Sequence, residues 1–360
     1  MSAGKRLVRL GLLAVLLALA ATLWFIQRLE RPPAGHAAPA AVNVYFPPGT
    51  STGAIFRRLD AEGVIGNARL AELYYRFLSG ATPLQAGEYR FDRPMPLPEV
   101  IRRMGRGEVV QHTVVVPEGL TAEETIRLFT DQGIGTPESF RAALADTALA
   151  PGLALGAPDL EGFLFPDTYR LTRSSSAQQV VERMVGQFRN HFTPELRERV
   201  RALGLTPRQA VTLASIVEKE TSLSREAPVV AGVYLNRLDR GMRLQADPSV
   251  TYALKRDGKW MGFLRRADYT YDSPFNTYLY DGLPPGPICN PGLSALTAAV
   301  NPARTEFLYF VADWSGGHTF SRTFEQHLQA IATNRRLRVE ANAAAQEPAP
   351  ETREPLTVNR

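Results

Sequence analysis

The hydrophobic and polar positions of this chain form one long apolar run, several segments with a helix or strand period, and two segments without a period. The apolar run covers 10–26 without a charged residue, follows a basic segment, and has an interfacial aromatic, Trp24, near its end. A membrane-spanning helix needs roughly 17 to 25 such residues. We therefore predict a transmembrane helix over 10–28, preceded by a short segment at 1–9.

Two alternatives to a membrane anchor fit the apolar run. Ala18 and Ala20 flank a leucine in a pattern typical of a signal-peptide cleavage site, and the core helix of a soluble protein would also be apolar. The run continues past Ala20 through Trp24 and is flanked by charges, which favours the uncleaved anchor. Positive charges before the span predict a cytoplasmic N-terminus and a single pass, with the bulk of the chain on the other side.

Two segments have neither a helix period nor a strand period. Proline and alanine dominate 29–41, which predicts a linker. The residues at 339–360 offer no apolar face, which predicts a disordered tail. The folded part of the chain is expected between these two segments.

An internal repeat opens the folded part. The segments 42–65 and 112–135 each read as an alternating strand, a Pro-Gly turn, a capped amphipathic helix and a glycine stop. Between them, 86–91 alternates like a strand and 97–108 has the period of a short helix. We predict a small α+β module over 42–109, serving either as a carbohydrate-binding or docking module or simply as a packing unit.

A later helix contains two glutamates close together in the segment "LASIVEKETS". Thr206 is placed as its N-cap, with proline at the first helical position and Gln209 as the return arm of a capping box. At about 100° per residue, Glu220 falls on the same face as Leu213, whereas Glu218 falls outside the centre of that face. The helical period therefore selects Glu220 as the glutamate in apolar surroundings.

A carboxyl group in apolar surroundings retains its proton to a higher pH than an exposed one, because burial disfavours the charged form. A general acid needs that property, and the poorly basic oxygen of a glycosidic bond is a natural target for it. The alternative is a structural acid tied to an arginine or a backbone amide. The helix alone leaves both readings of Glu220 open.

Two loop regions downstream offer further candidates. The first lies within 236–254 and enters a strand or helix. The second, 273–292, is a long loop rich in proline, glycine and aromatic residues, and loops of this kind are often functional. Their amides, hydroxyls and aromatic faces suit a sugar ligand, although each residue taken singly is more often structural. The candidates for substrate binding are Gln245, Asp247, Asn276, Thr277 and Tyr278.

Composition and charge exclude several other classes. The 41 Lys+Arg and 36 Asp+Glu residues give a net charge of only +5, and without a basic stripe we expect no nucleic-acid partner. A single cysteine, Cys289, excludes an intrachain disulfide and a cysteine metal cluster. The sequence also lacks the zinc-protease, serine-hydrolase and phosphate-loop motifs. We expect no metal and no other cofactor.

Five motifs, in this order along the chain, resemble the YceG-like family of endolytic murein transglycosylases. They are "EGFLFPDTY", "ASIVEKET", "GMRLQADPSVTYAL", "GLPPGPICNPG" and "LYFVADWSGGHTFSRTFEQH". The resemblance extends from the apolar run to about Arg335. It implies an α+β protein of the inner membrane, with a LysM-like subdomain over 42–109 and a mixed α/β catalytic domain over 110–338. It also implies peptidoglycan glycan strands as substrate and membrane-bound peptidoglycan synthases as partners.

The resemblance further implies that Glu220 is the catalytic acid and that Gln245 and Asn276 position the glycan. One position departs from the expected pattern, because Phe275 stands where a tyrosine is expected before Asn-Thr-Tyr. Any role of that hydroxyl is in question here, and Tyr278 is a candidate substitute.

The expected reaction needs one carboxyl group. Glu220 would protonate the oxygen of the β-1,4 bond between N-acetylmuramic acid and N-acetylglucosamine, and then take the proton of the muramyl 6-hydroxyl as that oxygen closes a 1,6-anhydro ring. Two rivals remain at this stage. A hydrolase would pair Glu220 with Asp247, and a non-catalytic wall-binding scaffold would keep Glu220 only for structure.

Overall fold

The computed structural model describes residues 3–30, 41–80, 82–92, 95–313 and 316–346. The helices are α1 (Ala3–Glu30), α2 (Thr52–Ala61), α3 (Ala68–Phe77), α4 (Leu97–Arg106), α5 (Ala122–Asp131), α6 (Pro137–Ala145), α7 (Ala177–His191), α8 (Pro194–Ala202), α9 (Pro207–Glu220), α10 (Ala227–Asp239), α11 (Asp247–Arg256), α12 (Leu293–Val300) and α13 (Phe324–Gln346). The strands are β1 (Val42–Phe46), β2 (Gly87–Phe91), β3 (His112–Val115), β4 (Thr168–Leu171), β5 (Tyr309–Ala312) and β6 (His318–Ser321). Short 3-10 helices lie at Thr147–Leu149 and Arg266–Thr270.

The N-terminal apolar run is helical, as predicted. Within α1, the segment Val8–Gln27 is long and apolar enough to cross a membrane, and none of it is buried inside the described structure. Most of the predicted linker at 29–41 lies outside the described residues.

The chain divides into two compact units. Unit 1 contains the described residues up to Val115 together with Arg127–Phe140 and Thr168–Val180, and unit 2 contains Val116–Ile126, Arg141–Asp167 and the described residues from Val181 onward. The predicted boundary between 109 and 110 stays a prediction. Two segments of the predicted domain 110–338, Arg127–Phe140 and Thr168–Val180, belong to unit 1.

Unit 1 has its own core beneath a two-stranded sheet. Strands β1 and β2 pair antiparallel, with Val42 opposite Phe91, and the helices α2, α3 and α4 supply the other apolar faces. Each fully buried large side chain contributes roughly 1.5–3 kcal/mol to folding. The largest of its fully buried side chains include Phe46, Phe56, Leu59, Tyr89 and Met104.

The predicted internal repeat is present in the structure. The first copy forms β1 and α2, and the second forms β3 and α5. Gly49 and Gly119 occupy the two turns with φ of 83° and 75°, and Gly63 and Gly133 end the two helices with φ of 70° and 73°. Both pairs need the left-handed region that glycine adopts without a steric cost.

Unit 2 is built mainly from helices around α9. Helix α9 packs against α12, α10 and α11. Every residue from Ala210 to Val217 is buried, so this part of α9 is enclosed by protein on all sides. In the described residues every strand pair is antiparallel and two-stranded. Unit 2 contains one of these sheets, β5 with β6, and the predicted domain 110–338 contains two, so its mixed α/β class takes the form of helices with two small sheets.

The C-terminal helix extends further than the sequence suggested. A disordered tail was predicted over 339–360, but α13 continues to Gln346. The segment 339–346 is rich in alanine, the residue with the highest helix propensity, and can continue a helix without an apolar face. The prediction was therefore wrong for 339–346, and the remainder of the predicted tail lies outside the described residues.

Candidate active site

Helix α9 delivers Glu220 to its C-terminal end. The predicted capping box is present, with the Thr206 side chain accepting from the Gln209 backbone N–H and the Gln209 side chain accepting from the Thr206 backbone N–H. The helix ends at Glu220 because Thr221 adopts an extended conformation, with φ −137° and ψ 134°. Glu220 is thus the last residue of a largely buried helix.

The carboxyl group of Glu220 is half-buried and has one close partner. Tyr234, which is 1% exposed on α10, donates its hydroxyl to Glu220 Oε1 at 2.6 Å. Burial raises the pKa of Glu220 and the nearby charge of Asp247 adds to the rise, while the Tyr234 hydrogen bond and the Arg237 charge oppose it. The net result is a pKa of about 7. Near neutral pH this carboxyl group therefore exists in both protonation states.

Glu218 has a different environment. Its Oε2 accepts a hydrogen bond from the backbone N–H of Gly292 at 3.1 Å, at the start of α12. Burial raises the pKa of Glu218 as well, and the charge of Glu118 adds to the rise. The Glu218 side chain is therefore engaged in holding the start of α12.

Glu220 lines a pocket of about 290 Å³, called here the Glu220 pocket. Its wall includes Asp247, Thr251 and Lys255 from α11. The Lys255 ammonium forms an ion pair with Glu124 at 2.7 Å, so that cation is already partnered. Two other pockets in unit 2, of about 390 and 510 Å³, are larger but do not include Glu220.

Asp247 is held in a fixed orientation beside Glu220. It is the first residue of α11, and its carboxylate accepts hydrogen bonds from the hydroxyls of Tyr278 at 2.6 Å and Tyr269 at 3.2 Å. The two tyrosine rings meet edge to face with their centroids 4.7 Å apart.

Gln245 stands out by its backbone conformation. Its φ of +50° makes it the one non-glycine residue with positive φ among the residues that the structure describes. Its backbone N–H donates to the Thr277 carbonyl at 3.1 Å, which holds the strained position, while its exposed side chain makes no hydrogen bond to the described part of the chain. Backbone strain of this kind costs roughly 1–3 kcal/mol and recurs at functional sites.

Asn276 and Thr277 occupy interior positions. Asn276 is 0% exposed, and its side-chain amide donates to the carbonyls of Tyr269 and Tyr271 at 3.1 and 2.8 Å. Thr277 is 1% exposed, and its hydroxyl accepts from the Ala246 backbone N–H at 2.9 Å. Both residues were candidates for substrate binding. The structure buries their side chains, and their polar groups hold the loop 273–292 in its conformation.

Phe275 lies away from Glu220. Its ring is 8% exposed, packs 4.9 Å from the Tyr252 ring, and lines the pocket of about 390 Å³. A hydroxyl at this position would therefore point into a different cavity from the one that contains Glu220.

Three residues of the site neighbourhood were missed by the sequence analysis. Tyr234 was the most accessible to prediction, because a tyrosine within an apolar helix needs a hydrogen-bond partner. Arg237, on the same helix, donates to the carbonyls of Leu308 and Leu244 at 2.6 and 2.7 Å and so fixes the start of the loop that leads to α11. Glu161 is 7% exposed and accepts twice from the Ala122 backbone N–H, at 2.9 and 3.1 Å.

Comparison with known proteins gives a consistent result. The model of the YceG-like family matches residues 44–333. An endolytic murein transglycosylase of Bacillus subtilis strain 168 is 30% identical over 305 residues, which cover 80% of this chain and 83% of the relative. One from Streptococcus pneumoniae serotype 2 strain D39 is 28% identical over 320 residues, covering 81% of this chain and 58% of the relative.

A solved structure is also similar. The 2.6 Å crystal structure of a yceG-like protein from Listeria monocytogenes aligns with a TM-score of 0.51 and 30% sequence identity. The alignment covers 80% of this chain and 98% of the crystallised chain.

Proposed function

The chain belongs to the YceG-like family, and we propose that Glu220 is the single acid and base with which it acts as an endolytic murein transglycosylase. One observation carries the assignment of Glu220. Its carboxyl group has a pKa of about 7, lines a pocket, and is held by one hydrogen bond from a buried tyrosine, Tyr234. A group that both gives and takes a proton in one cycle works best with a pKa near the working pH.

The first step is the protonation of the leaving oxygen. Tyr234 occupies Oε1 of Glu220, and the described residues offer no hydrogen bond to Oε2. Oε2 therefore carries the proton toward the substrate. As the glycosidic bond breaks, that proton moves to the oxygen of the departing sugar, and positive charge develops at the anomeric carbon of the N-acetylmuramic acid.

The second step uses the carboxylate that the first step leaves. Glu220 takes the proton of the muramyl 6-hydroxyl while that oxygen bonds to the anomeric carbon, which gives a 1,6-anhydro end and returns Glu220 to its protonated form. No water is consumed. Because the nucleophile belongs to the same sugar, proximity replaces the second activating carboxylate of an inverting hydrolase.

Asp247 serves this reaction as a fixed negative charge. Its two tyrosine donors hold its carboxylate in place, so that it stabilises the positive charge that develops at the anomeric carbon. Gln245 offers its unengaged amide to the glycan, and Tyr278, which donates its hydroxyl to Asp247, offers its ring. Asn276 contributes by holding the loop in place.

The remaining parts of the chain take roles consistent with a membrane-bound enzyme. We place α1 in the inner membrane with its N-terminus in the cytoplasm, and the rest of the chain in the periplasm. The LysM-like subdomain at 42–109 would hold glycan near the catalytic domain at 110–338. Membrane-bound peptidoglycan synthases are the partners that would deliver nascent strands.

The test is the mass of the products that the purified full-length protein releases from uncrosslinked murein strands, beside Glu220→Gln and Asp247→Asn. We expect muropeptides lighter by one water than hydrolysis products, their loss in Glu220→Gln, and their reduced yield in Asp247→Asn. Products with reducing ends, lost equally in both variants, would mean a hydrolase with a Glu220/Asp247 pair. Full activity of Glu220→Gln would contradict the assignment.

A further inference from the structure

A second pocket lies against the same helix that lines the Glu220 pocket. It has a volume of about 390 Å³, and its wall includes Arg208, Tyr252, Arg256, Asp272, Phe275 and Pro287. Tyr252 lines both pockets. On α11, Thr251 and Lys255 face the Glu220 pocket while Arg256 faces the second pocket, so the two cavities flank one helix. A helix with its side chains is about 10–12 Å across, which sets the scale of their separation.

The base of the second pocket is aromatic and carries a cation. The rings of Tyr252 and Phe275 pack at 4.9 Å, and the Arg256 guanidinium lies 5.0 Å above the Phe275 ring. Arg256 is exposed and has no carboxylate within ion-pair distance in the described part of the chain. This surface therefore presents an unneutralised guanidinium on an apolar support.

A second guanidinium is fixed in the wall and has an unused donor. Arg208 donates to the carbonyls of Gly156, at 2.7 Å, and Pro285. Its Nε is buried and has no hydrogen-bond partner among the described residues. Because two carbonyls hold this guanidinium, it adds a positive charge of fixed position to the wall of the pocket.

Carboxylates complete the pocket. Asp257 and Asp272 are exposed and orient toward tyrosine hydroxyls, with Asp272 accepting from Tyr280 at 2.6 Å. The buried Glu161 also lines the pocket, but burial raises its pKa to about 8, so it is mostly neutral near pH 7. Both signs of charge are therefore present, and a ligand that carries a carboxylate and an ammonium fits this pocket better than an uncharged sugar does.

We propose that the second pocket binds the peptide of murein, whose residues carry carboxylates and, at a dibasic residue, an ammonium group. This inference rests on the proposed function, because a peptide joined to the sugar at the cleaved bond would lie within reach of a cavity across one helix. Three extended residues span about 10 Å. The second pocket then selects peptide-bearing glycan, while Glu220 performs the cleavage.

Direct binding tests this assignment without cleavage. The probe is the tripeptide L-alanyl-γ-D-glutamyl-meso-diaminopimelate, titrated into the full-length Glu220→Gln protein in detergent. We expect saturable binding that Arg256→Glu, in the same background, weakens about tenfold, the scale of one charge-assisted hydrogen bond. Arg240→Glu removes another exposed arginine outside both pockets and is the matched control.

Cleavage gives a second readout in the otherwise unmodified protein. The substrate pair is uncrosslinked murein strands and the same strands after an amidase has removed their peptides. We expect kcat/KM to favour the peptide-bearing strands, and Arg256→Glu to reduce that preference about tenfold, mainly through KM. Arg240→Glu should keep the preference.

The outcomes separate this inference from the proposed function. No tripeptide binding, binding that Arg256→Glu leaves unaltered, or an equal loss on both kinds of strand would overturn the peptide assignment. None of these outcomes would restore activity to Glu220→Gln, on which the proposed function depends. Conversely, an active Glu220→Gln variant would contradict the catalytic assignment of Glu220. The tripeptide titration would still decide whether the second pocket binds the peptide.

Discussion

Glu220 and Glu161 are two carboxyl groups of unit 2 whose pKa is raised by burial, and the structure uses them differently. Burial raises the pKa of Glu220 to about 7 and of Glu161 to about 8. Both oxygens of Glu161 are engaged by the Ala122 backbone N–H at the start of α5. Glu220 has one oxygen tied to Tyr234 and borders a pocket. A raised pKa therefore identifies a candidate, and the free oxygen distinguishes a proton carrier from a structural acid.

The largest expected difference between the two carboxyl groups is in activity. Glu220→Gln should reduce murein cleavage by about 10³-fold, because an amide of the same shape cannot transfer the proton. Glu161→Gln should reduce it far less, since its amide oxygen still accepts from Ala122. Initial rates of both variants on uncrosslinked strands check this. A comparable loss of activity in the two variants would contradict the assignment of Glu220 as proton carrier and Glu161 as structural acid.

Stability should show the opposite order. Glu161→Ala leaves the Ala122 N–H at the start of α5 without an acceptor, and we expect a loss of roughly 2 kcal/mol in unfolding free energy. Glu220→Ala should lose less, because only one tyrosine hydroxyl is left unpaired. Thermal unfolding of the full-length proteins in the same detergent at pH 5 provides the measurement. A larger destabilisation in Glu220→Ala would contradict the structural role given to Glu161.

The pH dependence of stability sharpens the account of Glu220. Its pKa is raised from 4.5 when unfolded to about 7 when folded, so folding is penalised as pH rises through this window and the full penalty is present above pH 7. Glu220→Gln removes the penalty and should be more stable than the parent by about 3 kcal/mol at pH 8. The difference should vanish below pH 4.5. Paired melting curves across this range test the prediction, and a constant difference would count against it.

Tyr234→Phe gives a smaller effect with a defined direction. The Tyr234 hydroxyl stabilises the Glu220 carboxylate, so its removal should raise the pKa of Glu220 and move the basic limb of the pH–rate profile to higher pH. The rate at the optimum should fall about tenfold, as expected for a lost orienting hydrogen bond to a charged group. A fall in rate with no displacement of the basic limb would show that Tyr234 is only a packing residue.

The parts of the molecule that could be predicted from sequence depend on local periodicity. The capping box from Thr206 and the repeated strand-turn-helix units both follow from neighbours within a few positions. The helical period placed Glu220 relative to its own helix. The period gave no information on which residues of other segments contact Glu220.

The features that sequence did not predict depend on contacts between distant segments. Tyr234 reaches Glu220 from another helix, and Glu161 accepts from a residue 39 positions away. Asn276 and Thr277 have side chains that suit a sugar ligand, yet tertiary packing buries both. Polar side chains in a loop form hydrogen bonds either to a ligand or to the backbone of the loop itself. Amino-acid composition does not distinguish these two uses.

The most direct test of the central claim is the titration of the Glu220 carboxyl group in the full-length protein. Carbon-13 labelling of glutamate carboxyl groups, with Glu220→Gln as the subtraction control, isolates its signal across the pH range. We predict a resonance that is absent from the variant and titrates with a midpoint near 7. A midpoint near 4.5 would leave Glu220 without a proton at neutral pH and contradict its assignment as the acid that starts the reaction.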